Sequence, residues 1–465
     1  MDVKDFLKRQ GEKSLLRFIT CGSVDDGKST LIGRLLYDSK AVFEDKLSSL
    51  KNESKKYGTT NDGIDFALLV DGLQSEREQG ITIDVAYLFF ATEAKKYIIA
   101  DTPGHEQYTR NMATGASTAD VAVILVDARK GILAQTKRHS YIASLLGIKH
   151  LIVAINKMDL VGYSKDIFLK IKAAYNDEIT SALGIEEPYF VPISALKGDN
   201  IVTKSENTEW FEAKALLEYL DGLQIEGKEG SHFRFPVQYV NRPNLDFRGF
   251  AGTVASGELK AGDRIKSINT QKTTLVKEII QPPSNTDENK RKAVKNDPIT
   301  IVTADEIDIG RGDILVLDGD DSILYSDTFE ADIVWMGSNA LKIGYPYEFR
   351  GAFGGIGGSF EVIKQAVDIN TYGKNKADTL QLNDIGTVTV KLDRKTGFDP
   401  YDKNKATGSF IVIDKNTNDT IGAGMIRGVD ISSEKIKKYS DFEIEFNGLV
   451  RKYFPHWECK EITQG

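Results

Sequence analysis

The sequence predicts an α/β domain, with a mostly parallel sheet and helices on both faces, followed by two small antiparallel β-barrels. Three observations predict this fold class. From about Leu15 to Leu220, short apolar runs alternate with longer helical patterns, the signature of a parallel sheet covered on both faces. After Gly227 the helical pattern nearly vanishes, and short alternating runs are separated by turn signals. The length, 465 residues, suits about three domains.

The elements follow in order. Leu16–Thr20, Tyr97–Ala100, Val121–Val126, Leu151–Ile155 and Phe190–Ile193 are short, near-continuous apolar runs and read as buried strands. Asp84–Phe90 alternates, which places it as an antiparallel edge strand beside the Tyr97 run. Thr30–Tyr37, Gln135–Leu146, Ile167–Leu183 and Trp210–Leu220 carry helical spacing. Beyond them, Lys260-Ala261-Gly262-Asp263, Gly310-Arg311-Gly312-Asp313 and Asp318-Gly319 punctuate short strands. The expected domains are 1–227, 228–327, 328–432 and a tail, 433–465, with an amphipathic helix. Within them, 282–297 is read as an exposed loop. The tail helix presents an apolar stripe of Phe442, Phe446, Leu449, Val450, Tyr453 and Trp457, interrupted by Pro455.

Composition excludes several classes. Hydrophobic residues make up 41% and charged residues 28%, the balance of a globular protein. No run of 18 apolar residues exists, and the polar start at Met1 lacks a signal-peptide core, so no membrane span or secretion is expected and the cytoplasm is. Cys21 and Cys459 are too few for a disulfide framework. The net charge of −8 argues against a non-specific nucleic-acid surface.

Gly22, Ser23, Val24, Asp25, Asp26, Gly27, Lys28 and Ser29 fit the pattern GxxxxGK[ST], after a strand and before the helix that Thr30 opens. Such a loop wraps phosphates with backbone N–H groups. Lys28 reaches the β- and γ-phosphates and the Ser29 hydroxyl binds magnesium. Asp101, Thr102, Pro103 and Gly104 end another strand. The carboxylate can hold the same Mg2+, and the Gly104 N–H can sense a γ-phosphate. Asn156, Lys157, Met158 and Asp159 end a third, and the Asp159 carboxylate can accept from guanine N1 and N2, selecting GTP over ATP. Ser194, Ala195 and Leu196 are placed to close over the guanine. Thr82, in the run Glu76–Thr82, is a switch threonine that binds magnesium only beside a γ-phosphate. Together these elements read as a P-loop GTPase.

These residues resemble the translation-factor class of GTPases, the relatives of elongation factor Tu. In that class a Gly-Ile-Thr motif supplies the switch threonine, matching Thr82, and a histidine matching His105 follows the DxPG motif. The resemblance implies that His105 orients the attacking water. More closely, the P-loop with Asp26 after Asp25, the run from Asp101 to Ala119, the run from Phe235 to Phe250, Phe398–Tyr401, Gly422–Gly424 and the tail from Phe446 to Trp457 resemble the family of GTP-binding large subunits of two-subunit bacterial sulfate adenylyltransferases. That resemblance implies a heterodimer with a smaller catalytic subunit that makes adenylylsulfate and pyrophosphate from ATP and sulfate. No SGGxDS or HxGH run is present to bind ATP for adenylyl transfer, and no second P-loop. The rival is a translation factor carrying tRNA. Asp26, the Asn241–Arg248 segment and the tail stripe speak against it. The glycine-rich stretch from Arg350 to Phe360 departs from the family and is not read as a nucleotide site.

Several residues are left with plain roles. Asp25 and Asp26 either point into solvent or meet a cation or switch group. Arg110, Lys130, Lys137 and Arg138 are read as solvated charges. His139, His150, His232 and His456 are read as structural.

Overall fold

The computed structural model describes residues 13–40, 66–70, 76, 82, 84–225, 232–244, 247–281, 292–430, 441–454, 457 and 459. Most of Glu76–Thr82, residues 282–291, and Pro455 and His456 lie outside the described residues. The chain divides into two compact units. One joins Met1–Lys228 to Val367–Asn375, and the other joins Glu229–Ala366 to Lys376–Gly465.

The first unit is built on a six-stranded sheet of order β2-β3-β1-β4-β5-β6. Its strands are β1 (Ser14–Cys21), β2 (Ala86–Ala91), β3 (Lys95–Asp101), β4 (Val121–Asp127), β5 (His150–Asn156) and β6 (Tyr189–Pro192). All neighbours run parallel except β2, which lies antiparallel at the edge. Every residue of β4 is buried, which is why its sequence is apolar without alternation. The strand order reverses around β1, so the loops after β1 and β3 and those after β4 and β5 open at one end of the sheet. Ligands of open α/β sheets bind at such a reversal.

The helices are α1 (Lys28–Asp38), α2 (Thr109–Ala116), α3 (Ala134–Leu145), α4 (Lys165–Tyr175) and α5 (Leu216–Gly222). Helix α1 buries Leu31, Ile32, Leu35 and Leu36, an i, i+1, i+4, i+5 stripe against the sheet. Two expected helices come out differently. The pattern from Ile167 to Leu183 breaks into α4, a wider turn at Asn176–Thr180 and a short continuation at Ser181–Leu183. There the Thr180 hydroxyl donates to Asn176 Oδ1 at 3.1 Å and the Ser181 hydroxyl to the Asn176 carbonyl at 2.9 Å, side-chain bonds that compete with regular winding. The pattern from Trp210 is not helical until Leu216, because Trp210 is used for packing. Its indole donates to the Tyr163 carbonyl at 3.0 Å and its ring lies 5.3 Å from Phe168.

A strap from the far end of the chain completes this unit. In Val367–Asn375, the Tyr372 ring stacks on Tyr141 of α3 at 5.7 Å and its hydroxyl donates to the Lys137 carbonyl at 3.0 Å. The Lys137 ammonium donates to the Asn370 carbonyl at 3.3 Å and pairs with Glu178 at 2.8 Å. Lys137 is therefore engaged rather than solvated.

The second unit holds two barrels. The first closes through β7 (Phe235–Asn244), β8 (Phe247–Thr253), β10 (Arg264–Ser267), β11 (Thr273–Ile280), β13 (Pro298–Thr303) and β14 (Ile314–Leu317), in the order β10-β11-β13-β8-β7-β14. A two-stranded pair, β9 (Glu258–Lys260) with β12 (Lys292–Val294), accompanies it. So 292–294, expected to be loop, forms a strand. The second barrel runs β16 (Tyr347–Gly351), β19 (Ser409–Asp414), β20 (Thr420–Val429), β15 (Leu324–Trp335), β18 (Ile385–Phe398) and β17 (Gly354–Val367). It closes through β16–β17 pairing. The glycine-rich stretch is the β16–β17 hairpin. Asp327, the expected boundary, sits at a register irregularity inside β15. Helix α6 covers Asp441–Tyr453.

Buried Arg234 fastens one barrel to the other. Its guanidinium donates to Asp399 at 2.9 and 3.0 Å, to Asp320 at 2.7 Å and to Ser322 at 2.8 Å. Asp399 also accepts from Thr407 at 2.6 Å.

Candidate functional site

The loop after β1 folds onto itself. The Lys28 ammonium donates to the carbonyls of Gly22 at 3.1 Å and Ser23 at 2.8 Å. It is buried, and burial pulls its pKa down while Asp101 and Asp26 push back. Asp25 is exposed with φ 66. Asp26 does not point into solvent. Its side chain is buried, and Oδ2 accepts from the Ser23 N–H at 2.6 Å. This is a local side-chain-to-backbone bond of the kind that shapes turns. Among the described residues Oδ1 has no hydrogen-bond partner, and burial lifts the carboxyl to about 6.

The loop after β3 faces this one. Asp101 is fully buried. One carboxylate oxygen accepts from Thr20 at 3.2 Å and the other from Ser29 at 3.2 Å. The Ser29 hydroxyl also lies 3.4 Å from the Thr82 hydroxyl. Burial raises the Asp101 carboxyl to about 6 against the nearby Lys28. Thr102 donates to the Thr20 carbonyl at 2.5 Å. Thr102 and Pro103 are buried beside Gly104. At Gly104 a Cβ would collide with Lys28 Nζ and sit 2.8 Å from the Gly22 carbonyl, so only glycine permits this approach. His105 is exposed, with Nδ1 accepting from the Gln107 N–H at 3.3 Å and its ring 6.1 Å from Tyr108.

At the other side, Asn156 joins three loops. Its amide nitrogen donates to the Asp26 carbonyl at 2.7 Å, and its oxygen accepts from the Ala195 N–H at 2.9 Å. Lys157 has φ 63; its ammonium donates to the Asp25 carbonyl and pairs with Asp127 at 3.2 Å. Asp127 lies well below the usual carboxylate range. Burial works the other way, but bonds from Arg129 and Lys157 prevail. Met158 is buried and its N–H donates to the Ile193 carbonyl at 3.2 Å. Asp159 is half-buried at the site's rim. Ser194 is buried and accepts from the Lys197 N–H at 3.2 Å, while Leu196 is exposed. The structure thus draws the four loops to one end of the sheet.

The sequence reading set His139 aside as structural and gave Thr20 no role at the site. His139, on α3, is buried with Nδ1 accepting from the Gly22 N–H at 3.1 Å. Burial and nearby Lys28 lower its pKa to about 3, so it stays neutral and keeps the acceptor. No sequence pattern singles it out, since Thr136 and Ser140 are buried on the same helix.

The donor set can be tested for a divalent ion. Among the described residues no group of three His, Cys, Asp or Glu side chains could hold a metal. What converges is one carboxylate and two hydroxyls, from Asp101, Ser29 and Thr82, the hard oxygen donors that suit magnesium when substrate phosphates and water complete its shell.

The family profile of the elongation factor Tu GTP binding domain matches residues 13–225, and that of the GTP-eEF1A C-terminal domain-like family matches 328–427. A "Sulfate adenylyltransferase subunit 1" of Saccharophagus degradans is 54% identical over 465 residues, covering 100% of this chain and 98% of that protein. One of Aliarcobacter butzleri is 54% identical over 464 residues, covering 99% and 98%. The chain belongs to the sulfate adenylyltransferase subunit 1 family. Its GTPase domain binds GTP. Among solved structures, the Ski7 GTPase-like domain of S. cerevisiae, bound to GTP, is 20% identical over 92% of this chain and 99% of that one, with a TM-score of 0.50. That likeness concerns the fold of the subunit 1 family alone. Among the described residues no helix is long and apolar enough to cross a membrane.

Proposed function

We propose that this chain is the GTP-hydrolysing subunit of a two-subunit, cytoplasmic sulfate adenylyltransferase. Its partner is a smaller catalytic subunit that forms adenylylsulfate and pyrophosphate from ATP and sulfate. The observation that carries the GTPase half is the convergence of Lys28, Ser29, Thr82, Asp101 and Gly104 on one side of Asn156, with Ala195 on the other. The near-complete match to subunit 1 relatives carries the other half.

In this reading Gly22 to Thr30 cradle the phosphates. Lys28 turns from its carbonyls to the β- and γ-phosphates, and Asp159 accepts from guanine N1 and N2. Ser29, Thr82 and Asp101 would hold magnesium, which neutralises charge on the phosphates when bound. Gly104 lets its backbone N–H approach the γ-phosphate. His105, beside it, orients the water whose attack releases GDP and inorganic phosphate. Adenylylsulfate formation is strongly uphill, and coupling links its yield to the state of this site.

The test mixes this chain, the small subunit, ATP and sulfate with GTP or a non-hydrolysable analogue, without pyrophosphatase. GTP should raise the adenylylsulfate plateau and the analogue should not. Lys28→Ala should abolish the rise. His105→Ala should keep nucleotide binding and slow partner-stimulated hydrolysis by roughly 10²–10⁴-fold. A plateau indifferent to GTP overturns the coupling, and full hydrolysis in the histidine variant removes His105 from the reaction.

A further inference from the structure

One arginine outside every motif reaches the loop assigned to guanine. Arg34 lies on α1, with its Nε donating to Asp38 at 2.7 Å one turn later. Its Nη1 donates to the Leu196 carbonyl at 3.2 Å, across 162 positions of sequence. Its Nη2 sits against Gly198, whose φ is 91. A Cβ there would collide with Nη2 and lie 2.6 Å from Cζ. The guanidinium carbon also stands 5.2 Å from the centre of the Phe66 ring. An arginine fork can satisfy a carboxylate, a carbonyl and a ring face at once, which a lysine cannot.

Among the described residues, the loop 194–198 has few other anchors. Asn156 holds Ala195 from one side, and the loop's own bonds join Gly198 and Lys197 back to Ser194. Beyond Ala195, the Arg34 bond to Leu196 ties it to the helix that begins at Lys28. We propose that Arg34 is a positioning residue for guanine recognition, pinning the Ser194–Gly198 loop to the P-loop helix so that the base and phosphate halves of the site stay in register. The proposal rests on the reading of this site as a guanine-nucleotide site. It makes no contact between Arg34 and nucleotide necessary. A loose loop would open more often, so the effect belongs to the dissociation rate.

The experiment measures release of a fluorescent GDP from the full chain, chased with excess GDP, at a temperature well below unfolding. Arg34→Ala should speed release roughly tenfold, the size of one lost charge-assisted hydrogen bond. Arg34→Lys should fall between. The same ratio should hold in EDTA, because the base half is loosened independently of the phosphate half. Saturated hydrolysis should keep its kcat while KM rises. Asp38→Ala, which frees the fork at its other end, should speed release less, and adding it to Arg34→Ala should change nothing further. Parental release rates in a folded Arg34→Ala protein overturn the proposal. So does a ratio that vanishes in EDTA, which would place the effect at the phosphates. A parent that binds no guanine nucleotide would instead remove the reading of the site.

Discussion

Asp26 holds a buried carboxylate beside a loop built for phosphates, with one oxygen on the Ser23 N–H and the other unpartnered. Its pKa, about 6 in the fold against the usual value near 4, fixes the sign of a pH effect. The protonated form is favoured by folding, so this group's stabilisation is complete below about pH 4 and is lost as pH rises through about 6. Asp26→Asn keeps an acceptor for Ser23 without the charge. Its thermal midpoint, measured without nucleotide, should gain on the parent as pH goes from 4 to 7. Asp101 has the same sign but is common to both proteins, so the difference isolates Asp26; parallel curves would refute the argument. Asp159 gives a second prediction at this scale. Asp159→Asn should weaken GTP by about 1.5–3 kcal/mol and favour xanthosine triphosphate, whose C2 oxygen accepts instead; unchanged GTP titration would remove Asp159 from base recognition. The motif residues were legible because each sits in a short pattern at a strand end. Arg34, His139 and the inward turn of Asp26 were not. Two depend on partners over a hundred positions away, and the third on a backbone N–H that no pattern displays.

Elements were legible where burial is uniform and illegible where side chains compete with the backbone. The run Val121–Val126 could only be a covered strand, and it is. The stretch from Trp210 has helical spacing, yet its aromatic residues serve packing on α4, and winding begins only at Leu216. Helix α5 then docks on the start of β3. Asp221 accepts from Tyr97 at 2.5 Å and from Thr92 at 2.7 Å, and Tyr97 is 1% exposed. Asp221→Ala strands the Tyr97 hydroxyl and should cost about 1–3 kcal/mol. It should appear as a lower denaturant midpoint with unchanged slope. Asp221→Asn, which keeps an acceptor, should lose less; equal losses in both would show that the bond itself contributes little.

At the scale of the molecule, turn signals told how many barrels to expect but not what joins them. The joint is a buried cation between carboxylates that lie far apart in sequence, Asp320 and Asp399. Removing one member of such a group leaves uncompensated charge, so Arg234→Ala should destabilise the second unit by about 3–5 kcal/mol. Burial works against ionisation of Asp320, but bonds from Ser322 and Arg234 hold it down to about 2. Its contribution is present above pH 4 and is lost as pH falls through about 2. The parent should therefore lose more stability on acidification than Arg234→Ala, as followed by calorimetry. Identical acid profiles would count against a role for this cluster.

The strap that lays Tyr372 on Tyr141 has a consequence in time. Residues up to Lys228 leave the ribosome first, but their unit also includes Val367–Asn375. Roughly 150 further residues must be made before that strap exists, on the order of ten to thirty seconds at ordinary elongation rates. For that interval Tyr141 lacks the Tyr372 ring and Lys137 lacks the Asn370 carbonyl. The helix that supports Gly22 through His139 thus gains this packing partner only after the first barrel and strands β15 to β17 have been translated.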